Sequence, residues 1–340
     1  MKEKLRASLR RDHILKNFIG SHPAFTMLVE KLKIVANKNV SIVLIGETGT
    51  GKGHCAEFIH QYSKRYNRPF IPYNCSAGPD NLFESQFFGH VKGAFTGADT
   101  DRWGLVSEAN SGVLFLDEIN SLCFASQVKL NHFLENGCFR RVGESTIRKV
   151  NVRIIAASNR ALKKEIEKGK FREDLYYRLA EYELNVPPLR ARKPDIALLA
   201  GYFLDKNADL SDQEDIRLCK DTIEQLTKYD WPGNVRELEN CIKRSIIDST
   251  GKTIEISSFN IPEPVQVQPA AIDRLDTLPW KEAKQKVVAA FEMNYLKSLL
   301  RMYKGVVAKC AKHAGVQPPD FWKLIRKYQI LPNTYRKKRI

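Results

Sequence analysis

The mostly β-branched run Val40-Ser41-Ile42-Val43-Leu44-Ile45 stops at Gly46-Glu47-Thr48-Gly49-Thr50-Gly51-Lys52, and a helical pattern begins immediately after. No other segment restricts the fold so tightly. A strand that hands a glycine-rich turn to a helix is the context in which Gly-x4-Gly-Lys cradles phosphate. The glycines let backbone N–H groups converge, and the helix end adds partial positive charge. Gly46, Glu47, Thr48, Gly49, Thr50, Gly51 and Gly53 are therefore expected to line a bound nucleotide, with Lys52 as the point charge on its β- and γ-phosphates. The position after the lysine usually carries a magnesium-ligating hydroxyl. Here it is Gly53, so side-chain ligation from that position is excluded.

Leu114-Phe115-Leu116-Asp117-Glu118 is an apolar strand that ends in two carboxylates. Asp117 is expected to hold Mg2+ through water, and Glu118 to polarise an attacking water. Ser158-Asn159 close another strand, Val152–Ala157, where Asn159 can sense the γ-phosphate or orient the water; a turn-forming asparagine is the alternative. Arg172 and Arg178 stand six residues apart. They read either as arginine fingers acting across a subunit boundary or as surface salt-bridge arginines. Between the phosphate loop and the acidic strand lies Gly93-Ala94-Phe95-Thr96-Gly97-Ala98, with one aromatic between two glycines. It is a poor core strand and a good mobile tip, which points to an ATPase that moves a loop against a partner protein.

Further strands read at Phe70–Tyr73 and Val113–Leu116, alternating with helical segments. The expected fold is therefore α/β, with a parallel, doubly covered sheet. After Pro187-Pro188 the texture is helical through Ile196–Leu204, Asp221–Tyr229 and Asn234–Asp248, and Pro262, Pro264, Pro269 and Pro279 mark a linker. The expected order is an N-terminal arm over 1–17, an ATPase core over 18–190, a helical lid over 191–256, a linker over 257–279 and an all-α domain over 280–340. A chain of 340 residues accommodates this as about two or three domains. No segment approaches the ~18–20 apolar residues of a membrane span, and Met1-Lys2-Glu3-Lys4-Leu5-Arg6 is no signal peptide. The seven cysteines are scattered singly, which reads as reduced, mostly buried thiols in a cytoplasm.

These pieces in this order resemble the bacterial enhancer-binding proteins, the AAA+ activators of sigma-54 RNA polymerase. The resemblance runs from about Phe18 to Ile330 and is carried by GETGTGK (46–52), FFGHVKGAFTGA (87–98), GVLFLDEI (112–119), FREDLYYRL (171–179) and WPGNVRELEN (231–240). It implies ATP and Mg2+ as cofactors, an α-helical lid on an AAA+ core, and a ring, usually a hexamer, with nucleotide at each subunit interface. Phe95 and Thr96 look like the tip of the loop, Gly93 to Ala98, that engages the sigma-54 holoenzyme. Asn74 matches the residue that restrains the Walker B glutamate, here Glu118. Arg172 and Arg178 match the trans-acting arginines, Arg236 the second sensor on the lid, and Ile19-Gly20 the segment lining the adenine pocket. The chain departs from the family at Gly53 and Val91, both usually Glu. With no receiver domain read ahead of the core, it looks like the receiver-less subgroup, similar to the phage-shock-protein operon activator. Such a chain is controlled by a separate regulatory protein or by expression level.

The net charge of +16 is uneven, because Arg301 to Ile340 holds eleven Lys/Arg against one acid, Asp320. Such clustering is the electrostatic footprint of nucleic-acid contact. Gly305–Ile330 resembles the factor-for-inversion-stimulation-type helix-turn-helix. Val307, Cys310, Ala311 and Ala314 form one core stripe, Gly315 the turn, and Phe321, Leu324, Ile325 and Tyr328 the next stripe. Gln317, Trp322, Lys323, Arg326 and Lys327 are left for upstream enhancer DNA. The start of this helix, Gln317-Pro318-Pro319-Asp320, offers prolines and an acid where bases are read, so phosphate contact is expected to survive and base readout to be altered. The leading functional reading is a sigma-54-dependent activator. The alternatives are a DNA-binding AAA+ regulator or hetero-oligomer subunit with weak or no activation, and a general AAA+ remodeller or clamp loader.

Overall fold

The computed structural model describes residues 18–77, 82–210, 217–249, 253–254, 279–303, 305–328 and 330–332. The expected N-terminal arm and nearly all of the expected linker lie outside the described residues. Along the chain the strands are β1 (Ile42–Ile45), β2 (Phe70–Asn74), β3 (Gly89–His90), β4 (Arg102–Trp103), β5 (Val113–Asp117), β6 (Cys138–Phe139), β7 (Arg148–Lys149), β8 (Arg153–Ser158), β9 (Tyr182–Asn185), β10 (Arg217–Leu218) and β11 (Thr253–Ile254), the last two pairing with each other. Five of them form one parallel sheet in the order β2-β5-β8-β1-β9.

Side chains alternate across a strand, and both faces of this sheet are covered. Val43, Leu114, Leu116, Ile154 and Ala156 pack with Phe87, Phe133 and Leu175 in one buried cluster. Ile42, Leu44, Val113, Phe115, Ile155 and Ala157 pack with Leu32, Phe58 and Ile59 in the other. Burial on both faces is why these strands read as unbroken apolar runs instead of alternating ones. β9 escapes that reading. It is an edge strand, Tyr182-Glu183-Leu184-Asn185, in which only Leu184 is buried.

A charged group lies deep in this core. Arg153 donates to the carbonyls of Val35, Ala36 and Val40 at 2.8, 2.8 and 3.2 Å, capping the C-terminal end of the Pro23–Ala36 helix. Burial lowers its pKa to about 10, so the guanidinium stays charged at neutral pH.

The chain divides into two compact units, Met1–Asn260 and Ile261–Ile340. In the first, the helices Pro194–Lys206, Lys220–Lys228 and Asn234–Asp248 follow the sheet. In the second, Trp280–Met302, Val307–His313 and Pro318–Lys327 enclose Leu296, Leu299, Leu300, Val307, Cys310, Ala311, Phe321 and Ile325. Gly315, at φ +68°, makes the turn between the last two helices. All seven cysteines are free, but only Cys55, Cys241 and Cys310 are buried; the other four are half-buried, so "mostly buried" is corrected. Among the described residues no helix is long and apolar enough to cross a membrane.

Leu44, fully buried in the strand that delivers the phosphate loop, tests the central packing. Leu44→Ala is expected to cost about 2–5 kcal/mol in urea unfolding, whereas Ile147→Ala, at an exposed position, should stay within about 0.5 kcal/mol.

Candidate nucleotide site and partner-facing loop

Parallel strands deliver their C-terminal ends to one edge, and the polar residues singled out by sequence emerge there. Ile45 pairs with Ser158, and Asn74 with Asp117. The Gly46 N–H donates to the Ser158 carbonyl at 3.1 Å, and the Cys75 N–H to the Asp117 carbonyl at 2.9 Å. Gly49 and Gly51 adopt φ +80° and +97°, conformations that favour glycine and turn the loop amides inward. Lys52 is buried at the start of the Lys52–Tyr62 helix and donates to the carbonyls of Gly46 and Glu47 at 2.6 and 3.0 Å. Burial pushes its pKa down, while the carboxylates of Asp117 and Glu118 push it back up. Nothing lies within 4 Å of a Cβ built on Gly53, so the missing side chain there is not a steric necessity.

Glu118 takes a left-handed backbone, φ 54°, at the turn beyond β5, and its N–H donates to Asp117 Oδ1 at 3.0 Å. Strain of this kind costs about 1–3 kcal/mol and collects at functional sites. Asn159 Oδ1 is buried with no hydrogen-bond partner, an acceptor left open at the sheet edge. This fits a polar ligand group there, and the glycine cradle with its buried lysine fits phosphate.

Three of the expected residues have partners within their own chain. Asn74 lies beside Asp117 in the ladder, and its side-chain oxygen accepts from the N–H and hydroxyl of Ser76, at 2.8 and 2.7 Å, rather than from Glu118, which as a carboxylate could only accept. Arg172 makes a two-pronged pair with Asp174, at 2.9 and 2.7 Å, and Arg178 pairs with Glu135 at 2.7 Å. Both arginines are therefore held by carboxylates of their own chain. The fully buried Gln127 accepts from the Arg172 N–H at 2.9 Å and fixes its backbone.

The lid closes on the phosphate loop through residues that sequence reading passed over. Asn234 is fully buried at φ 54°, and its Nδ2 donates to the Thr48 carbonyl at 3.0 Å and to Glu47 Oε2 at 3.2 Å. The N–H groups of Val235 and Arg236 donate to the Gly49 carbonyl at 3.0 and 3.3 Å, which sets Arg236 beside the loop. A Cβ at Gly49 would stand 2.2 Å from the Gly233 carbonyl oxygen, so only glycine permits this approach. Arg190 forms a two-pronged ion pair with Glu47 and lowers that carboxyl's pKa to about 2. Gly20, beside half-buried Ile19, sits so close to Phe25 and Asp195 that a Cβ would meet Phe25 at 2.5 Å and Asp195 Oδ2 at 2.7 Å. Asp195 Oδ1 accepts the N–H groups of Ser21 and His22 at 2.7 and 3.0 Å. The one available signal was Trp-Pro-Gly-Asn, a turn sequence whose asparagine tolerates the left-handed region.

The Gly93–Ala98 segment is a closed turn rather than a free tip. The Gly93 N–H donates to the Ala98 carbonyl at 2.9 Å and the Ala98 N–H to the Phe95 carbonyl at 3.0 Å. Gly93 and Gly97 have φ +80° and +93°. Phe95 remains 40% exposed while its ring meets His90 edge-on at 5.1 Å. Ala98, grouped by sequence with the contact residues, is buried and holds the base of the turn instead.

In the second unit Gln317, Trp322, Lys323, Arg326 and Lys327 are all exposed. Lys323 pairs with Asp320 at 2.9 Å and Lys327 with Glu292 at 2.9 Å. Asp320, expected to repel phosphate, is thus neutralised within its own helix at the cost of one cation.

Residues 18–185 match the sigma-54 interaction domain family, and residues 190–261 the AAA+ ATPase lid domain family. Regulatory protein LuxO of Vibrio cholerae is 38% identical over 316 residues, spanning 92% of this chain and 69% of that protein. The anaerobic nitric oxide reductase transcription regulator NorR of Aeromonas hydrophila is 37% identical over 318 residues, spanning 91% of this chain and 62% of NorR. The crystal structure of NtrX from Brucella abortus in complex with ATP aligns with a TM-score of 0.66 at 28% identity, over 92% of this chain and 69% of that one. Fold and site together define a nucleotide-binding AAA+ ATPase. The chain belongs to the family of sigma-54-dependent AAA+ transcriptional activators.

Asn234→Ala removes the buried amide that ties lid to loop, and is expected to weaken binding of a fluorescent ATP analogue by about tenfold, as is Gly49→Ala through its clash. Glu47 has a depressed pKa, so its pairing with Arg190 is complete above the ordinary carboxylate value near 4.5 and lost only as pH falls towards about 2. Nucleotide affinity should accordingly show no step from this pair between neutral pH and about pH 5.

Proposed function

We propose that this chain assembles as a hexameric ring in the cytoplasm, binds enhancer DNA through its C-terminal helices, and couples ATP hydrolysis to open-complex formation by sigma-54 RNA polymerase. The observation that carries the reading is Phe95, half out on a hydrogen-bonded turn, in the same unit as the Asp117–Glu118 edge. Such a loop has no role in nucleotide turnover and suits contact with a protein partner.

In this reading Lys52 and Arg236 neutralise phosphate charge, and Asp117 holds Mg2+, which would stabilise charge on the phosphate oxygens. Glu118 polarises the attacking water and Asn159 orients it through its open Oδ1. Asn74 restrains Glu118 once its side chain turns from Ser76. Arg172 and Arg178 reach the neighbouring subunit's nucleotide, a contribution of about 10³–10⁵ in rate where fingers operate. Ile19 and Gly20 line the adenine. Sigma-54 is met by Gly93, Ala94, Phe95, Thr96 and Gly97, with Ala98 holding the turn beneath them. On DNA, Arg326 is, of the three basic candidates, the one with no acidic partner among the described residues, while Gln317 and Trp322 face the bases. The pairing of both finger candidates with their own chain's carboxylates favours a second reading, a poorly hydrolysing regulator that depends on a hetero-oligomer partner or a separate regulatory protein.

The deciding experiment is open-complex formation on a supercoiled sigma-54 promoter. Transcript should require ATP, sigma-54 and Thr96, and Thr96→Ala should abolish it; transcript from Thr96→Ala at the wild-type level would refute the loop assignment. Glu118→Gln is expected to slow ATP turnover by about 10²–10⁴ while nucleotide binding persists. Arg326→Gln should lower DNA affinity across sequences and reduce the salt slope by about 1.

A further inference from the structure

Two short hairpins stand next to each other. β3 and β4 pair antiparallel and carry the 91–101 connection that contains Phe95, while β6 and β7 pair antiparallel and carry residues 140–147. Backbone bonds join the two where they begin: Val91 N–H to the Val142 carbonyl at 3.1 Å, and Val142 N–H to the Gly89 carbonyl at 2.9 Å. At Gly143 the approach is closer still, since a Cβ there would lie 2.8 Å from Ala94 Cβ and 3.0 Å from Val91 Cγ2.

The side chains form a clasp that neither nucleotide binding nor the loop tip uses. Trp103, on β4, is 51% exposed, an unusual place for so large an apolar ring. The guanidinium carbons of Arg141 and Arg148, both from the second hairpin, lie over its ring system at 4.6 and 4.7 Å from a ring centre. Two guanidinium groups of like charge share that ring because Glu144 lies between them. It accepts from Arg141 Nε at 2.9 Å and Nη2 at 3.1 Å, and from Arg148 Nε at 3.2 Å and Nη2 at 2.8 Å. Asp101 completes the circuit from the first hairpin, accepting the Lys92 N–H at 2.8 Å and Arg141 Nη1 at 3.4 Å. With two arginines and two carboxylates the cluster is neutral, so an aromatic face and planar cations, not net charge, hold it.

We infer that Trp103 is a positioning residue: gripped by Arg141 and Arg148, it binds the Phe95 hairpin to the 140–147 hairpin so that the two move as one body against sigma-54. The inference rests on the reading of residues 93–97 as the sigma-54 contact. A two-residue strand pair by itself is a weak stem. Tying it to a second hairpin that leads directly through β7 to β8 gives the loop a firm mount on the sheet whose edge holds the nucleotide. Both arginines lower the Glu144 pKa to about 2, so the clasp stays closed from neutral pH until pH falls towards that value and does not act as a physiological pH switch.

The test uses the full chain with ADP–aluminium fluoride as the nucleotide probe and purified sigma-54 as the partner. Trp103→Ala is expected to leave ATP turnover within about twofold and to lower sigma-54 capture by about tenfold or more. Trp103→Phe should restore most of the capture, because it keeps an aromatic face. Hydrogen exchange should rise in both 91–101 and 140–147 of Trp103→Ala while β5 and β8 stay protected. Wild-type capture by Trp103→Ala, or loosening of only one hairpin, overturns the clasp. Phe95→Ala runs beside it: capture lost there but kept in Trp103→Ala rejects the clasp alone, whereas capture kept in both rejects the loop reading and the clasp with it.

Discussion

Ile45 pairs with Ser158, and the Gly46 N–H donates to the Ser158 carbonyl, so the phosphate loop leaves the sheet at the level where β8 ends. β5 pairs with the other side of β8 and ends in Asp117 and Glu118. Because parallel strands point the same way, this pairing alone brings the loop amides, the two carboxylates and Asn159 to one edge. The apolar layers on both sheet faces hold the pairing, and a one-residue slip would turn every core side chain to the opposite face. Lys52 can then be buried beside two carboxylates, with desolvation and their attraction acting against each other on its charge.

The lid is joined to this edge by backbone, amide and charged groups. Asn234 spends its side chain on Thr48 and Glu47, and its Oδ1 accepts the Leu189 N–H at 2.8 Å. Gly49 supplies both the φ and the empty space that let the lid's turn come within hydrogen-bond distance. Any change in the phosphate loop is therefore felt directly at residues 233–236. Asp195 does the same at the other end of the lid, gripping the amides of Ser21 and His22 beside the expected adenine segment. Hydrogen bonds to charged groups are worth about 1.5–3 kcal/mol each, enough to bias a lid between two positions without locking it.

Arginine carries three different jobs in this chain, set by surroundings rather than by residue type. Arg153 is a buried cap on helix carbonyls, and Arg141 with Arg148 is a planar grip on an indole. Arg172 and Arg178 are partly exposed and held by single carboxylates, contacts of the kind that contribute little in water and exchange readily. The second unit repeats the theme with lysines, where Asp320 and Glu292 offset two of the cations on the Pro318–Lys327 helix.

Local chemistry was legible in the sequence: the strand–glycine turn–helix unit, the acidic strand end, the polar end of β8 and the helical stripes around Gly315. These are short-range patterns in which neighbouring residues alone dictate backbone shape or burial. β9 was not legible, because an edge strand with one buried side chain carries no apolar run. The hairpin strands were missed because two-residue pairings have no periodicity to read. The roles of Asn234, Asp195, Gln127 and Trp103 were likewise invisible, since each depends on a partner 45 to 187, 173 to 174, 43 to 45, or 38 to 45 positions away. By itself, then, the sequence determined which polar groups are candidates for the site and which segments are helix or buried strand. Only the tertiary structure decided what holds those groups, because hydrogen bonds and ring contacts over such separations are set by how the layers pack.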